Sequence, residues 1–162
     1  MLPPDRRRVN EQFGRHLFAG VAEVLDGVLA DGRPCAVVAL PCVAKAIRLA
    51  SRRIPRLAER IVAIPHVARL RVHTRLPIMV PARINDELLA WLCGPRLAPI
   101  VVIHANHARE IDAEVAAALD RLRTAGVLLL NQAVLLAGVN DSVTALVELS
   151  ERLVAVGVAP YY

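Results

Sequence analysis

The stretch Pro99-Ile-Val-Val-Ile-His104 decides the fold, together with the helix and strand patterns directly after it. A helical pattern covers Ile111–Thr124, Gly126 is suited to end that helix, and a second apolar run begins at Val127. A short, continuous apolar run is typical of a strand buried on both faces of a parallel sheet. We therefore predict a β-α-β unit at the centre of the chain.

The same alternation continues on both sides of this unit. We predict a helix end at Leu57–Ile64, a strand at Arg69–His73, a helix from Asn85 or Asp86 to about Cys93, a helix at Ser142–Val156 and a last strand from Val158. The order β-α-β-α-β-α-β predicts a parallel sheet with right-handed crossovers, either in a β/α barrel or in an open doubly wound sheet. We expect the sheet to continue beyond its last strand.

Residues 1–56 follow this pattern poorly and are treated as a separate segment. A helix is predicted at Gln12–Leu29 from its near-helical apolar spacing. The apolar run Cys35–Val43 contains Pro41, which argues against a strand there. The domain division is therefore a partly helical segment at 1–56 and a β-α repeat portion at 57–162.

Composition indicates a cytoplasmic protein with an aliphatic core. The chain has 162 residues, 56% of them apolar and 3% aromatic, which suits one domain built from Val, Leu, Ile and Ala. We find no membrane-spanning run and no signal peptide. Three irregularly spaced cysteines do not form a disulfide framework, so free thiols are expected.

The net charge of +5 raises the question of a nucleic-acid partner. The arginines are scattered apart from Arg6-Arg7-Arg8, and no aromatic residues are interleaved with them for stacking on bases. Nucleic-acid binding through Arg6–Arg8 is therefore the least favoured of the three functional hypotheses for this chain.

Polar residues follow successive predicted strands, at the position where β/α barrels hold their reactive groups. Each could instead cap a helix or a loop, but together they favour a ligand site. His104 and His107 have no evident third metal ligand, and there is no nucleophile elbow, dinucleotide fingerprint or P-loop. The strand-end groups are His73-Thr-Arg75, His104-Ala-Asn-His107, Asn131-Gln132 and Tyr161-Tyr162.

Four motifs, in order, resemble the lysine 2,3-aminomutases of the radical-SAM class. They are residues 64–84, His104-Ala-Asn-His with Glu110-Ile-Asp, Leu130-Asn-Gln-Ala-Val-Leu-Leu-Ala-Gly-Val-Asn-Asp and Gly157-Val-Ala-Pro-Tyr-Tyr. The most similar subtype is the bacterial enzyme that converts L-lysine to β-lysine for elongation factor P.

This resemblance implies a partial β/α barrel that uses S-adenosylmethionine, a [4Fe-4S] cluster and pyridoxal phosphate. His104 and Gln132 match positions that contact S-adenosylmethionine, and Arg75 matches an arginine facing the same cavity. Further residues that line it by resemblance are Asn106, His107, Asn131 and Tyr162. Ala137 stands where the family usually has arginine, so any contact of that arginine is lost.

Motifs that the resemblance requires for chemistry are missing. The cluster needs C-x-x-x-C-x-x-C, and Cys35 and Cys42 do not have this spacing. The glycine-rich S-G-G-D-P motif is absent, and the sole lysine, Lys45, lies in the unmatched segment. We expect neither a cluster nor covalently bound pyridoxal phosphate, identify no catalytic residue or metal ligand, and expect no activity of the chain alone.

An inactive enzyme fragment is the first functional hypothesis, and a binding module is the second. The chain could be a non-catalytic half-barrel that binds a partner or forms a homo-oligomer through the sheet edge at Val158–Tyr162. Separately, Lys45-Ala-Ile-Arg-Leu can be encoded so that another reading frame gives Gly-Asp-Pro-Leu, the core of the missing glycine motif. A frameshift over Cys35–Arg53, corrected near Ile54–Glu59, would explain the poor match of this segment.

Overall fold

The computed structural model describes residues 55–94 and 96–161, together with the backbone of residues 35–39. The strands are β1 (Cys35–Ala39), β2 (Val67–His73), β3 (Ala98–Ile103), β4 (Leu128–Asn131) and β5 (Ala159–Pro160). The helices are α1 (55–62), α2 (Leu76–Met79), α3 (Asp86–Leu92), α4 (Ala113–Thr124) and α5 (Val143–Ala155). Single 3-10 turns lie at Pro81–Arg83 and Ala108–Glu110.

The five strands form one parallel sheet in the order β1-β2-β3-β4-β5. In a doubly wound sheet the strand order reverses at a switch point. The order of the described strands never reverses, so each crossover moves the chain one strand in the same direction, as in a β/α barrel. The predicted parallel α/β fold is confirmed, and of its two architectures the partial barrel is the one observed.

The prediction that disfavoured a strand at the start of the apolar run Cys35–Val43 is wrong. The backbone of β1 pairs in parallel with β2, from Ala36 opposite Arg69 to Ala39 opposite Val72. Pro41 follows the strand and so removes no ladder hydrogen bond from it. The helix predicted at Gln12–Leu29 lies outside the described residues.

The helix ends carry the capping groups that fix their boundaries. Asn85, Asp112 and Ser142 precede α3, α4 and α5, and each accepts a hydrogen bond from the backbone N–H three residues further on, at 3.0, 2.9 and 3.2 Å. Gly126 and Gly157 follow α4 and α5 with φ of 84° and 75°. This left-handed conformation is why glycine stands at both positions.

The two faces of the sheet differ in what covers them. Alternate residues of a strand point to opposite faces, and we call the face packed against the helices the outer face and its opposite the inner face. The outer face and the helices share one hydrophobic core, which contains Leu70, Val72, Val101, Ile103 and Leu129 from the strands and Val115, Leu119, Leu122, Leu149 and Leu153 from the helices. Val102 is buried but stands outside this core, as its inner-face position requires.

Two arginines are used inside the fold to satisfy backbone carbonyls. The guanidinium of Arg96 donates to the carbonyls of Ile64 and Val67 at 2.8 and 2.7 Å, where α1 ends and β2 begins. Arg152 of α5 donates twice to the carbonyl of Ile111, at 3.0 and 2.8 Å. Part of the positive charge of the chain therefore has a structural use that requires no nucleic acid.

Candidate functional site

Polar and aromatic side chains gather on the inner face, at the carboxyl ends of four neighbouring strands. Parallel pairing places His73 beside Val102 and Val102 beside Leu130, so these three share the inner face. His104 and Gln132 lie two residues beyond Val102 and Leu130 and continue that alternation. The ladder also continues, because the Gln132 N–H donates to the Ile103 carbonyl at 2.9 Å.

His73 and His104 form the centre of this group. Their ring centroids are 6.0 Å apart. The pKa of His73 is lowered, first by burial and then by the nearby Arg71 and His104. A hydrogen bond with the Gln132 side chain acts in the opposite direction but does not reverse this. Burial and then Arg75 lower the pKa of His104. Both imidazoles are therefore neutral at neutral pH, and each offers one donor and one acceptor.

Arg71 extends the same surface towards β5. Its guanidinium carbon lies 4.7 Å from the centre of the Tyr161 ring, although β3 and β4 separate their strands. This is cation-π geometry. The Nε of Arg71 is buried and donates no hydrogen bond to any residue that the structure describes. Because a buried N–H without an acceptor is costly, this donor is suited to a ligand oxygen on the inner face.

Arg75 is paired with Glu110 above the end of β2. The Arg75 Nη2 lies 2.7 Å from Glu110 Oε2. The other carboxylate oxygen, Oε1, accepts hydrogen bonds from the backbone N–H groups of Asn106 and His107 at 2.7 and 3.0 Å. Glu110 therefore joins the loop after β3 to the residue that follows β2.

Asn131 fixes the loop that carries His104. Its amide oxygen accepts from the Ala105 N–H at 2.8 Å, and its amide nitrogen donates to the Ala105 carbonyl at 3.0 Å. The side chain is fully buried. Asn131 thus positions the backbone next to His104. Its role in lining the cavity stays a prediction.

Asn106 and Asn140 join the loops that follow β3 and β4. The fully buried Asn140 donates to the carbonyls of Asn106 and Val134 at 2.8 and 3.0 Å and accepts from the Leu136 N–H at 2.7 Å. Asn106 Oδ1 in turn accepts from the Val134 N–H at 2.9 Å. Backbone and side chain together hold the two loops in one arrangement.

The sequence-predicted residues therefore divide into two groups. His104 and Gln132 lie together on the inner face, with Arg75 close enough to His104 to lower its pKa. Asn106 belongs to the loop network, and His107 Nδ1 accepts from the Arg109 N–H at 3.1 Å. Tyr162 lies outside the described residues. Whether these residues contact a cofactor stays a prediction.

Sequence reasoning missed Arg71 as a site residue and named Glu110 only within a family motif. His73 and Tyr161 were among the strand-end groups predicted to form a ligand site, but their contacts with His104 and Arg71 were not predicted. The alternation Arg69-Leu-Arg-Val-His was a usable signal, because it places Arg71 and His73 on one face of a single strand. No local signal reveals that Tyr161 lies over Arg71, since that contact crosses two intervening strands.

Two kinds of site are absent from the part of the chain that the structure describes. It contains no group of three or more His, Cys, Asp or Glu residues able to hold a metal ion. Within the same residues, none of the helices has the length and apolar character needed to cross a membrane.

Fold and site together define a class of protein: part of a parallel β/α barrel with a polar inner face at the carboxyl ends of its strands. No protein-family model matches the chain. It is 47% identical over 106 residues to the L-lysine 2,3-aminomutases of Haemophilus influenzae and Escherichia coli, which covers 65% of this chain and 31% of each relative. The matched part of the chain is thus homologous to part of the L-lysine 2,3-aminomutases.

The matches differ in how much of this chain they include. A protein of Aquifex aeolicus is 34% identical over 142 residues, 86% of this chain and 35% of the relative. A match of that length includes part of residues 1–56. The chain spans about a third of the length of the curated relatives it matches. The proposed division at residue 56 and the frameshift hypothesis stay predictions.

Proposed function

We propose that the inner face binds S-adenosylmethionine as part of a lysine 2,3-aminomutase-like protein. One observation carries the proposal: His104 and Gln132, which match S-adenosylmethionine-contacting positions by resemblance, lie on the same face as the unpaired N–H of Arg71. The resemblance supplies the identity of the ligand, and the geometry supports a shared surface for it.

The chemistry of these side chains fits S-adenosylmethionine. The guanidinium groups of Arg71 and Arg75 suit its carboxylate, because charge-assisted hydrogen bonds to a carboxylate are the stronger kind. Neutral His73 and His104 and the Gln132 amide provide donors and acceptors for its ribose and adenine. In the family that the chain resembles, S-adenosylmethionine is the source of the radical that starts the reaction.

The residues do not fit the other two groups that the resemblance implies. The cysteine spacing differs from the cluster motif, and the described residues contain no metal-binding group. Cys93 is the one cysteine whose side chain the structure describes; it is half-buried, and burial raises the pKa of its thiol, which opposes the thiolate that a cluster requires. Lys45 lies outside the described residues. We therefore derive no step through a cluster or pyridoxal phosphate and propose that this chain alone does not isomerise lysine.

The wider function that we propose is conversion of L-lysine to β-lysine for elongation factor P in the cytoplasm. A protein that contains this segment together with the cofactor-binding motifs of the family would perform it. The names of the relatives support lysine as substrate. The subtype rests on the motifs around His104, Leu130 and Gly157. An anaerobic assay for β-lysine with reconstituted iron and sulfide tests the claim that this chain alone is inactive: we expect no product from it, and any turnover would contradict that claim.

Calorimetric titration of the full chain with S-adenosylmethionine tests the binding surface. We expect saturable binding, weakened about tenfold by His104→Ala or Gln132→Ala, because a lost hydrogen bond costs about 1.4 kcal/mol in this range. Asp120→Asn is the control, since Asp120 pairs with Arg123 on α4. Absence of saturable binding, or equal weakening by the control, would overturn the proposal.

A second candidate function is a half-barrel that associates through its surface. On α5 the side chains of Val143, Val147 and Val154 are 80%, 48% and 64% exposed, with Leu146 beside them. Such an apolar stripe is typical of a helix that packs against a neighbour. Sedimentation of the full chain and of Val147→Asp tests it. Concentration-dependent dimers that the substitution removes would support association, and a monomer at all concentrations would exclude it.

A further inference from the structure

We propose that Glu110 is a positioning residue that holds Arg75 beside His104, with its two carboxylate oxygens performing separate tasks. Oε1 fixes the carboxylate to the backbone, and Oε2 fixes the guanidinium. The consequence for ligand binding rests on the proposed function, because it assumes that Arg75 and His104 face the ligand. The geometry itself does not depend on that assumption.

The first task is to anchor Glu110. Its Oε1 accepts the backbone N–H groups of Asn106 and His107 at 2.7 and 3.0 Å, and the His107 ring accepts from the Arg109 N–H. These reciprocal contacts form a capping box at the 3-10 turn Ala108–Glu110. A carboxylate with two backbone donors on one oxygen has little freedom left, so the direction of Oε2 is set.

The second task is to restrict Arg75. The Arg75 side chain is 48% exposed, and a long side chain with that exposure ordinarily samples many rotamers. A fixed acceptor 2.7 Å from Nη2 selects one of them. The guanidinium has five N–H donors, so pairing with one oxygen leaves donors for a ligand carboxylate. Glu110 thus places Arg75 without exhausting its donors.

The pair also sets the charge beside His104. Arg75 lowers the pKa of His104, and the other ring that faces it, His73, is itself favoured in its neutral form. Glu110 pairs with the Arg75 guanidinium at 2.7 Å and so restricts it to the position from which it acts on His104. A structural cap that did not act on Arg75 would leave the titration of His104 unchanged when only Oε2 was altered.

Glu110→Gln separates the two tasks in the full chain. The amide oxygen of the substituted side chain can keep the two backbone bonds, while the amide nitrogen replaces the acceptor of Arg75. We expect NMR titration to show the pKa of His104 rising towards its usual value, because Arg75 is then no longer held beside the ring. In an Arg75→Gln background the same substitution should have a smaller effect. No shift, or an equal shift in both backgrounds, would overturn the proposal.

A matched control and a second measurement complete the test. Asp86→Asn breaks the Arg121–Asp86 pair, which has a similar separation of 2.6 Å, and should leave His104 unchanged. In the unsubstituted protein, an order parameter below about 0.6 for the Arg75 Nε–H vector would mark a flexible group and overturn the proposal even if variants fail to fold. Failure to bind S-adenosylmethionine would refute the proposed function alone, since neither readout uses ligand.

Discussion

The two faces of the sheet are made from the same strands but have opposite characters. The outer face presents Leu, Val and Ile to α4 and α5, and its side chains are almost fully buried. The inner face presents Arg71, His73, His104 and Gln132 at the ends of the strands, and one of its leucines, Leu128, is 53% exposed. The apolar core thus lies on one face of the sheet, and polar side chains gather on the other face at the carboxyl ends of the strands.

This difference shows how one strand, Ala98–Ile103 followed by His104, contributes to both faces. The outer face needs only apolar side chains of suitable volume to remove surface from water. The inner face needs particular donors and acceptors at the carboxyl ends, where the strand ladder gives way to loops. A shift of one residue in strand register would exchange the two faces and would abolish both the core and the site.

The largest effect that distinguishes the faces is expected from Leu119→Ala. Leu119 is fully buried between α4 and the outer face. Its truncation should lower the free energy of unfolding by ~2–5 kcal/mol, from lost transfer energy and the cavity left behind. Urea denaturation of the full chain measures this.

Leu128→Ala is the inner-face control for that prediction. Because Leu128 is 53% exposed, the same truncation should cost well under half as much. Equal losses for the two leucines would contradict the assignment of the apolar core to the outer face alone.

A smaller loss of stability is expected from Asn140→Ala, which tests how the loops that follow β3 and β4 are held together. The substitution leaves the Leu136 N–H and the Asn106 and Val134 carbonyls without their side-chain partner. It should cost ~1–3 kcal/mol for unsatisfied buried groups, measured by the same denaturation. It should also broaden the backbone NMR signals of both loops. The neighbouring Asp141→Asn is the matched control, because Asp141 is exposed and accepts the Gly138 N–H within its own loop. If both substitutions have the same effect, Asn140 does not join the loops.

The smallest effect is a pH dependence that belongs to the inner face. The pKa values of His73 and His104 lie below their usual 6.5 in the folded protein. As pH falls from 6.5 to the lower pKa values of the folded protein, the unfolded chain therefore binds more protons than the folded chain. The free energy of unfolding falls over this range of pH. Above that range these histidines contribute no pH dependence.

Urea denaturation at about pH 7.5 and about pH 5.5 checks this expectation, because the two conditions bracket the ordinary histidine pKa. The double variant His73→Gln/His104→Gln should lose less stability than the unsubstituted chain on acidification. His66→Gln is the control, because His66 stands at the amino end of β2, away from the strand ends that carry His73 and His104. An unchanged acid sensitivity in the double variant would place the pH dependence elsewhere.

The sequence allowed the parallel β/α fold to be predicted because its helices carry clear signals. Asn85 is the expected cap, and Gly126 and Gly157 stand where left-handed backbone ends a helix. β1 was missed because Pro41 follows so closely that it interrupts the apolar run to which the strand belongs. The site was found in part: His104 and Gln132 follow from strand ends, whereas the Arg71–Tyr161 contact depends on tertiary structure. Asn140 resembled a loop polar group, and only its hydrogen bonds to Asn106 and Val134 show that it joins two loops.

Binding of S-adenosylmethionine to the inner face is the central claim, and amide chemical-shift mapping of the full chain tests it most directly. Titration should shift the amide signals of His73, His104 and Gln132 and leave those of Leu119 and Leu149 in the helices unchanged. S-adenosylmethionine that shifts no inner-face signal, or that shifts α4 and α5 instead, would contradict the account.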